Sequence, residues 1–227
     1  YNRAAQGNGF LEEFVIDKPT LATIRRWESV TDELHTDLHE CLGHGSGQLL
    51  PGTDPNALKA YGSTIEEARA DLFGLYYMAD HKLIELGLLD SEHAYEAQYY
   101  TYLMNGLMTQ LVRIRPGFKI EEAHMLNRSL IAHWAVDMNP DALQLIETGG
   151  KHYVKINDYK ALRVVFGRQL AEIQRIKSEG DYEAARNLIE HFAVKVDPQL
   201  HQEILQRYAR LNIAPYKGFI NPKLTLV

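Results

Sequence analysis

The sequence predicts a mainly α-helical domain with at most one small β-hairpin. Apolar residues recur at helical spacing through most of the chain, and prolines and glycines separate these periodic segments. Residues 143–156 differ, because two short apolar runs flank a Gly-Gly pair in the manner of a hairpin turn. With 227 residues and 45% hydrophobic content, the chain is long enough to bury a substantial core.

Two helices joined by a long loop are predicted for the first part of the chain. A proline suited to a first helical turn precedes apolar residues at helical spacing, which predicts a helix over 19–46. Residues 47–62 carry two prolines and several turn-forming residues and predict the loop. Ser63 and Glu66 have the spacing of a capping box, so a second helix is predicted over 64–86.

Five more helices are predicted downstream. The third and fourth helices are closed by proline-containing turns, and each of the last three opens with an aspartate or a proline near its first turn. The five predicted helices span residues 91–114, 121–138, 158–178, 181–195 and 198–211.

Composition argues against nucleic acid and membrane as partners. The net charge is -6, with acidic and basic residues mixed along the chain, so no concentrated basic face is available for phosphates. No run of about 18 apolar residues is present to span a bilayer. Cys41 is the only cysteine, and a chain without an internal disulfide fits a reducing compartment. A cytoplasmic protein is therefore expected.

The segment His39-Glu40-Cys41-Leu42-Gly43-His44 places two histidines five residues apart, with a glutamate beside the first. In the H-E-x-x-H zinc helix, the histidines are four residues apart and project from one face. Five residues correspond to about 500° of rotation, so the two rings point about 140° apart on a regular helix. A π-type bulge absorbs the extra residue, and a glycine beside the second histidine eases that distortion.

A third ligand is needed, because catalytic zinc sites hold three protein ligands and leave one position open. The segment EEARAD at 66–71 supplies Glu67 and Asp71 one helical turn apart on one face. One carboxylate can ligate while another accepts the free N–H of a ligating histidine, a role that suits Asp71 or Glu66. Considered alone, the two histidines are also consistent with ordinary, partly exposed residues. Glu66 and Glu67 alone are also consistent with a helix-capping residue and its solvated neighbour. Taken together, they predict a metal site.

The two motifs, in this order and at this separation, resemble those of the dipeptidyl peptidase III family of zinc exopeptidases. That family is marked by H-E-x-x-G-H followed by E-E-x-x-A-E/D. The resemblance continues through Glu122-Ala123-His124-Met125 with Arg128, and through residues 174–182 (QRIKSEGDY). It therefore covers most of the chain.

The resemblance implies one zinc ion, bound by His39, His44 and Glu67, with Glu40 as the general base that activates water. Glu66 and Asp71 are then implied as the carboxylate partners of the ligating histidines.

His124 matches a family histidine that helps to stabilise the tetrahedral intermediate, and Arg128 matches a substrate-contacting arginine. Without the resemblance, His124 reads as an ordinary helix-surface histidine. Two positions depart from the family pattern: Asp71 replaces a glutamate, and Cys41 replaces an apolar residue. Cys41 is interpreted as a small packing group, with a redox-sensitive thiol as the alternative.

The implied activity is zinc-dependent release of dipeptides from the N-terminus of oligopeptides. Family members are longer and have two lobes around a cleft, so residues 1–227 are expected to be the catalytic helical lobe of such an enzyme, without the upstream lobe that grips the substrate. The isolated piece could then be inactive. Two alternatives stay open: a non-catalytic, zinc-stabilised helical domain that binds a peptide or a partner protein, and a zinc peptidase for substrates of another length.

Overall fold

The computed structural model describes residues 9–213, which form a set of packed helices and one two-stranded hairpin. The α-helices are α1 (Phe10–Phe14), α2 (Lys18–Leu38), α3 (Gly62–Met78), α4 (Lys82–Glu85), α5 (Tyr95–Leu107), α6 (Ala123–Met138), α7 (Tyr159–Glu179), α8 (Tyr182–Phe192) and α9 (Pro198–Arg210). A π-helical turn (His39–His44) continues α2, and 3₁₀ turns lie at Lys59–Tyr61 and Thr109–Arg113. None of the helices in residues 9–213 is both long and apolar enough to cross a bilayer.

The predicted hairpin is confirmed. Strands β1 (Leu143–Thr148) and β2 (Lys151–Ile156) pair antiparallel, with Leu143 opposite Ile156. The turn between them is Gly149-Gly150, and both residues have a positive φ, of 59° and 72°. A two-residue hairpin turn needs this left-handed backbone, which glycine adopts without steric cost.

The mainly α-helical class is confirmed, but two predicted helices are too long. The helix predicted over 64–86 ends at Met78. A turn follows in which the Asp80 carboxylate accepts a hydrogen bond from the Lys82 amide, and the separate short helix α4 comes after it. The helix predicted over 91–114 is α-helical only from Tyr95 to Leu107 and then tightens into a 3₁₀ turn. Periodic apolar residues continue across both breaks and hide them from a sequence reading.

The predicted capping box at the start of α3 is wrong. The helix begins at Gly62, without a side-chain cap, so Ser63 already lies within it. The Glu66 carboxylate does not fold back onto the helix start. It instead accepts hydrogen bonds from Arg69, three residues later in the same helix, and from Lys177 of α7, and it contacts His44.

Helix α3 lies at the centre of the fold and carries half of the candidate site. It packs against α2, α6, α7 and the π-helical turn. Its middle is buried on nearly every side, so that Ala68, Arg69, Ala70 and Leu72 have no exposed surface. The acidic motif of the sequence therefore lies inside the molecule, facing the end of α2.

A polar cluster away from helix α3 connects both ends of the described chain to the hairpin. Arg207 of α9 is 2% exposed and donates to the carboxylates of Glu13 and Glu203 and to the carbonyl of His152. Lys151 also pairs with Glu13, and the His152 ring contacts Glu203 at 2.5 Å. We call these five residues the Arg207 cluster.

Candidate metal centre

Two imidazole rings and one carboxylate converge between the π-helical turn and α3. We call these three residues, His39, His44 and Glu67, the metal cluster. The Nε2 atoms of His39 and His44 lie 3.4 and 3.8 Å from Oε2 of Glu67. The two ring centroids are 4.6 Å apart, with the ring planes at 85°. One ligand atom from each of the three side chains lies within 4.8 Å of the other two, which is close enough for all three to contact one metal ion.

The predicted π bulge is confirmed and explains how histidines five residues apart meet. A π-helical turn takes about one residue more than an α-helical turn, so His39 and His44 return to the same side. Gly43 is needed because a Cβ there would lie 2.6 Å from the Ala70 Cα atom of α3. The buried Arg69 guanidinium donates to the Gly43 carbonyl at 2.6 Å and holds the end of the turn.

Each histidine of the metal cluster contacts a separate carboxylate. Nδ1 of His39 lies 2.7 Å from Oδ1 of Asp71, and Nδ1 of His44 lies 2.8 Å from Oε1 of Glu66. A carboxylate only accepts hydrogen bonds, so each Nδ1 carries the hydrogen and each Nε2 keeps its lone pair for a metal. Glu67 is the member of the acidic motif that is left to ligate.

The electrostatics keep both supporting carboxyl groups ionised. Burial raises the pKa of Asp71, but the hydrogen bonds from His35 and His39 outweigh it and hold this pKa far below its usual range. Burial likewise raises the pKa of Glu66, but hydrogen bonds from Arg69, Lys177 and His44 lower it to about 2. At neutral pH, both groups therefore accept from the histidines.

The residues fit a divalent metal ion on a test that is independent of the motifs. Oε2 of Glu67 is buried and has no hydrogen-bond partner among the described residues. A buried carboxylate oxygen without a partner is costly, and a cation between it and the two imidazole nitrogens removes that cost. Two imidazoles and one carboxylate form a donor set that suits zinc.

Three residues around Asp71 were missed by the sequence reading. His35 Nε2 lies 3.2 Å from Oδ1 of Asp71, while the Tyr102 hydroxyl and the Asn127 amide donate to Oδ2 at 2.8 and 3.1 Å. His35 carried a signal, since it precedes His39 by one helical turn and shares its face. Tyr102 and Asn127 come from α5 and α6, and no local pattern points to them.

The other predicted site residues surround the cluster at different depths. His124 lies in the first turn of α6, where Glu122 caps the helix, and its Nδ1 is 3.3 Å from Oε2 of Glu67. Glu40 is exposed and follows His39 directly in the chain. Burial lowers the pKa of the His39 ring, but the hydrogen bond to Asp71 and the charges of Asp71, Glu67 and Glu40 outweigh it and raise this pKa. Arg128 is half-buried one turn after His124, and its guanidinium has no hydrogen bond or ion pair among residues 9–213.

Cys41 does not have the packing role that was assigned to it. Its side chain is exposed, at a position within the π-helical turn. Cys41 also lies outside both groups of described residues that could hold a metal ion, His39-His44-Glu67 and His35-His39-Asp71.

Comparison with known proteins gives a consistent family match. The sequence profile of peptidase family M49 matches residues 53–225, a range that includes the acidic motif and begins after the histidine motif. Mouse (Mus musculus) dipeptidyl peptidase 3 is 24% identical over 213 residues, which cover 76% of this chain and 29% of the mouse protein. The Homo sapiens protein of the same name is 23% identical over 212 residues, with 75% and 29% covered.

Solved structures show the same fold. The structure of DPP III from Caldithrix abyssi matches with a TM-score of 0.69 and 25% identity, over 91% of this chain and 37% of that one. Dipeptidyl-peptidase III from Corallococcus sp. strain EGB matches with a TM-score of 0.59 and 24% identity, over 78% and 31%. The chain therefore spans well under half the length of the curated and solved proteins that it matches.

Proposed function

Because the chain belongs to peptidase family M49, we propose that it is the catalytic helical lobe of a zinc peptidase that releases dipeptides from the N-terminus of oligopeptides. The observation that carries the proposal is the convergence of His39, His44 and Glu67 around a buried carboxylate oxygen without a hydrogen-bond partner in the described chain. The similarity to proteins named dipeptidyl peptidase 3 supports the choice of substrate and product.

Each side chain of the cluster has a distinct proposed task. The atoms that would hold the zinc ion are Nε2 of His39, Nε2 of His44 and Oε2 of Glu67. When bound, zinc lowers the pKa of a water molecule and polarises the scissile carbonyl group. Glu40 takes the proton from the attacking water and delivers it to the leaving amine. Its exposure and its lack of a hydrogen bond to any residue in 9–213 leave its carboxylate available for this exchange.

His124 and Arg128 are proposed to contact the substrate. The half-exposed His124 ring has Nδ1 next to Glu67. When both ring nitrogens carry hydrogen, Nε2 donates to the oxygen that becomes negative during attack. The Arg128 guanidinium lacks a carboxylate partner among the described residues, so it can donate to carbonyl or carboxylate oxygens of a peptide.

Two further points of the proposal concern the parent enzyme. The curated relatives are more than three times as long as the matched segment, which covers 29% of them. We propose that the grip on the peptide N-terminus, and with it the dipeptide length, comes from a second lobe. A cytoplasmic location is proposed from the single cysteine, Cys41, which suits a reducing compartment.

The test is mass spectrometry of products after the zinc-loaded parent enzyme, which includes the second lobe, is incubated with an unblocked hexapeptide. A chelator-treated sample controls for the metal, and an N-acetylated hexapeptide controls for recognition of the free amine. Chelator-sensitive release of a dipeptide from the unblocked peptide alone is the expected result. Products of other lengths contradict the dipeptide assignment, and failure to bind one zinc ion per chain contradicts the metal site itself.

A further inference from the structure

We propose that His35 is a positioning residue of the metal centre. It fixes the carboxylate of Asp71, and Asp71 in turn holds the His39 ring with Nε2 directed at Glu67. This inference rests on the proposed function of the cluster as a zinc site, and it assigns a role to a residue outside both sequence motifs.

His35 and His39 share one acceptor atom. Both rings project from the same side of α2 and its π-helical extension, and both residues are 8% exposed. Their nitrogens lie 3.2 and 2.7 Å from the same oxygen, Oδ1 of Asp71. Two N–H groups on one carboxylate oxygen restrict its position more than a single donor does, since any rotation of the carboxylate lengthens at least one hydrogen bond.

The second oxygen of Asp71 is restrained in the same way. Tyr102 and Asn127 donate to Oδ2, so the buried carboxylate accepts from four donors in total. Removal of His35 leaves Oδ1 with one donor against two on Oδ2. The carboxylate then has one donor fewer to oppose rotation, and the His39 ring can follow it.

Helix α3 is shaped around the His35 ring. Gly74 lies buried in the interior of α3, where glycine weakens a helix relative to alanine. A Cβ at this position would lie 2.6 Å from Nδ1 and 2.7 Å from Cε1 of His35. The glycine therefore provides the space in which the ring reaches Asp71.

Packing alone does not account for a histidine at this position. Nδ1 of His35 is buried and has no hydrogen-bond partner within residues 9–213. An apolar side chain of similar size would fill the space without this unpaired polar atom. The Nε2–H donor to Asp71 is the feature that a leucine cannot supply.

The experiment measures zinc affinity by chelator competition and records the visible absorption spectrum of the Co²⁺-loaded chain, which reports the geometry of the ligands. His35→Leu is expected to weaken zinc binding about 10- to 100-fold and to change the Co²⁺ spectrum. His35→Gln places an amide N–H near the position of Nε2, so it is expected to recover most of the affinity and the spectrum. Gly74→Ala keeps every donor but displaces the ring, and it is expected to resemble His35→Leu.

A matched control separates this role from general stability. His201 is also buried, and its Nε2 donates to the carbonyls of Leu111 and Ile114, where it has no contact with the cluster. His201→Leu is expected to lower the Tm and to leave zinc affinity and the Co²⁺ spectrum unchanged.

The outcomes distinguish this inference from the proposed function. If His35→Leu has the zinc affinity and the Co²⁺ spectrum of the wild type, the role of His35 is overturned and the zinc site stays intact. Equal impairment of His35→Gln and His35→Leu overturns the donor role. If His35→Leu does not fold, Gly74→Ala decides, and normal affinity in that variant overturns the inference. Failure of the wild type to bind zinc overturns the proposed function itself.

Discussion

Glu40 differs from the side chains of the metal cluster in being exposed and free of hydrogen bonds to the described residues. At the scale of single residues, this separates its proposed proton transfer from metal binding. Glu40→Gln is therefore expected to keep one zinc ion per chain and to lower peptide turnover by about 10²- to 10⁴-fold. Glu33→Gln, at an exposed position on α2, is the matched control and should keep wild-type turnover. Full turnover in zinc-loaded Glu40→Gln would remove the residue from its role.

The Oε2 atom of Glu67, which accepts no hydrogen bond within residues 9–213, predicts how the metal affects stability. Bound zinc stabilises the folded chain by about 4 kcal/mol when it is present at 1,000 times its Kd, so a chelator should lower the Tm of the wild type. Glu67→Gln removes the ligand and the buried charge together. Its Tm without metal is expected to equal or exceed that of the wild type without metal, and zinc should no longer raise it. Differential scanning calorimetry with and without chelator measures both effects, and a zinc-dependent Tm in the variant contradicts the assignment.

The candidate ligands could be predicted from sequence because they lie in two short motifs whose spacing has a geometric meaning. His39, His44 and Glu67 are brought together as the motifs predict, although their role as ligands stays a prediction. The support around Asp71 could not be predicted in the same way. Tyr102 and Asn127 are 31 and 56 residues away from it in sequence, and they meet it only through tertiary packing.

At the scale of elements, the π-helical turn depends on its contact with α3. Gly43→Ala introduces a Cβ 2.6 Å from Cα and 2.7 Å from Cβ of Ala70, so the turn must move away from α3. We expect a loss of about 1–3 kcal/mol in the free energy of unfolding, together with weaker zinc binding. Gly62→Ala is the matched control, since its Cβ would make only an ordinary contact of 3.7 Å with Leu58. Thermal unfolding and chelator competition measure the two effects, and a Gly43→Ala chain that equals Gly62→Ala in both contradicts the prediction.

Helix positions followed from apolar spacing, whereas several helix ends did not. The hairpin was predictable because a Gly-Gly pair between apolar runs has few other uses. The start of α3 was mispredicted because Glu66 has stronger partners than the helix start, among them Lys177 on α7. A local capping rule cannot anticipate a partner more than a hundred residues away.

At the scale of the whole molecule, the Arg207 cluster links α1, the hairpin and α9. Burial raises the pKa of Glu203, but hydrogen bonds from His152 and Arg207 outweigh it and lower the pKa below its usual range. A carboxyl group with a lowered folded-state pKa stabilises the fold above its unfolded pKa of about 4.3, and this contribution is lost as the pH falls through the folded pKa.

Glu203→Gln is therefore expected to reduce the free energy of unfolding at pH 7 by about 1–3 kcal/mol. The difference from wild type should shrink below about pH 4.3, where the wild-type carboxylate also becomes protonated. Urea unfolding at pH 7 and below about pH 4.3 measures this change. Glu183→Gln removes an exposed carboxylate that pairs with Arg186, and it should change little at either pH. A Glu203→Gln penalty that stays constant across this range contradicts the electrostatic explanation.

Asp71 of α3 has four donors, which come from three helices and the π-helical turn. His35 lies on α2, Tyr102 on α5 and Asn127 on α6, and His39 begins the π-helical turn. Metal binding at His39 is thus coupled to the helices in the middle of the fold through the Asp71 carboxylate. In hydrogen–deuterium exchange, zinc should slow the exchange of backbone amides across α2, α3, α5 and α6 as one cooperative unit, well beyond the turn that contacts the ion. The same carboxylate sets the order of folding and metal binding. The helices can pack before the metal binds, but the metal cannot be held before the helices have packed.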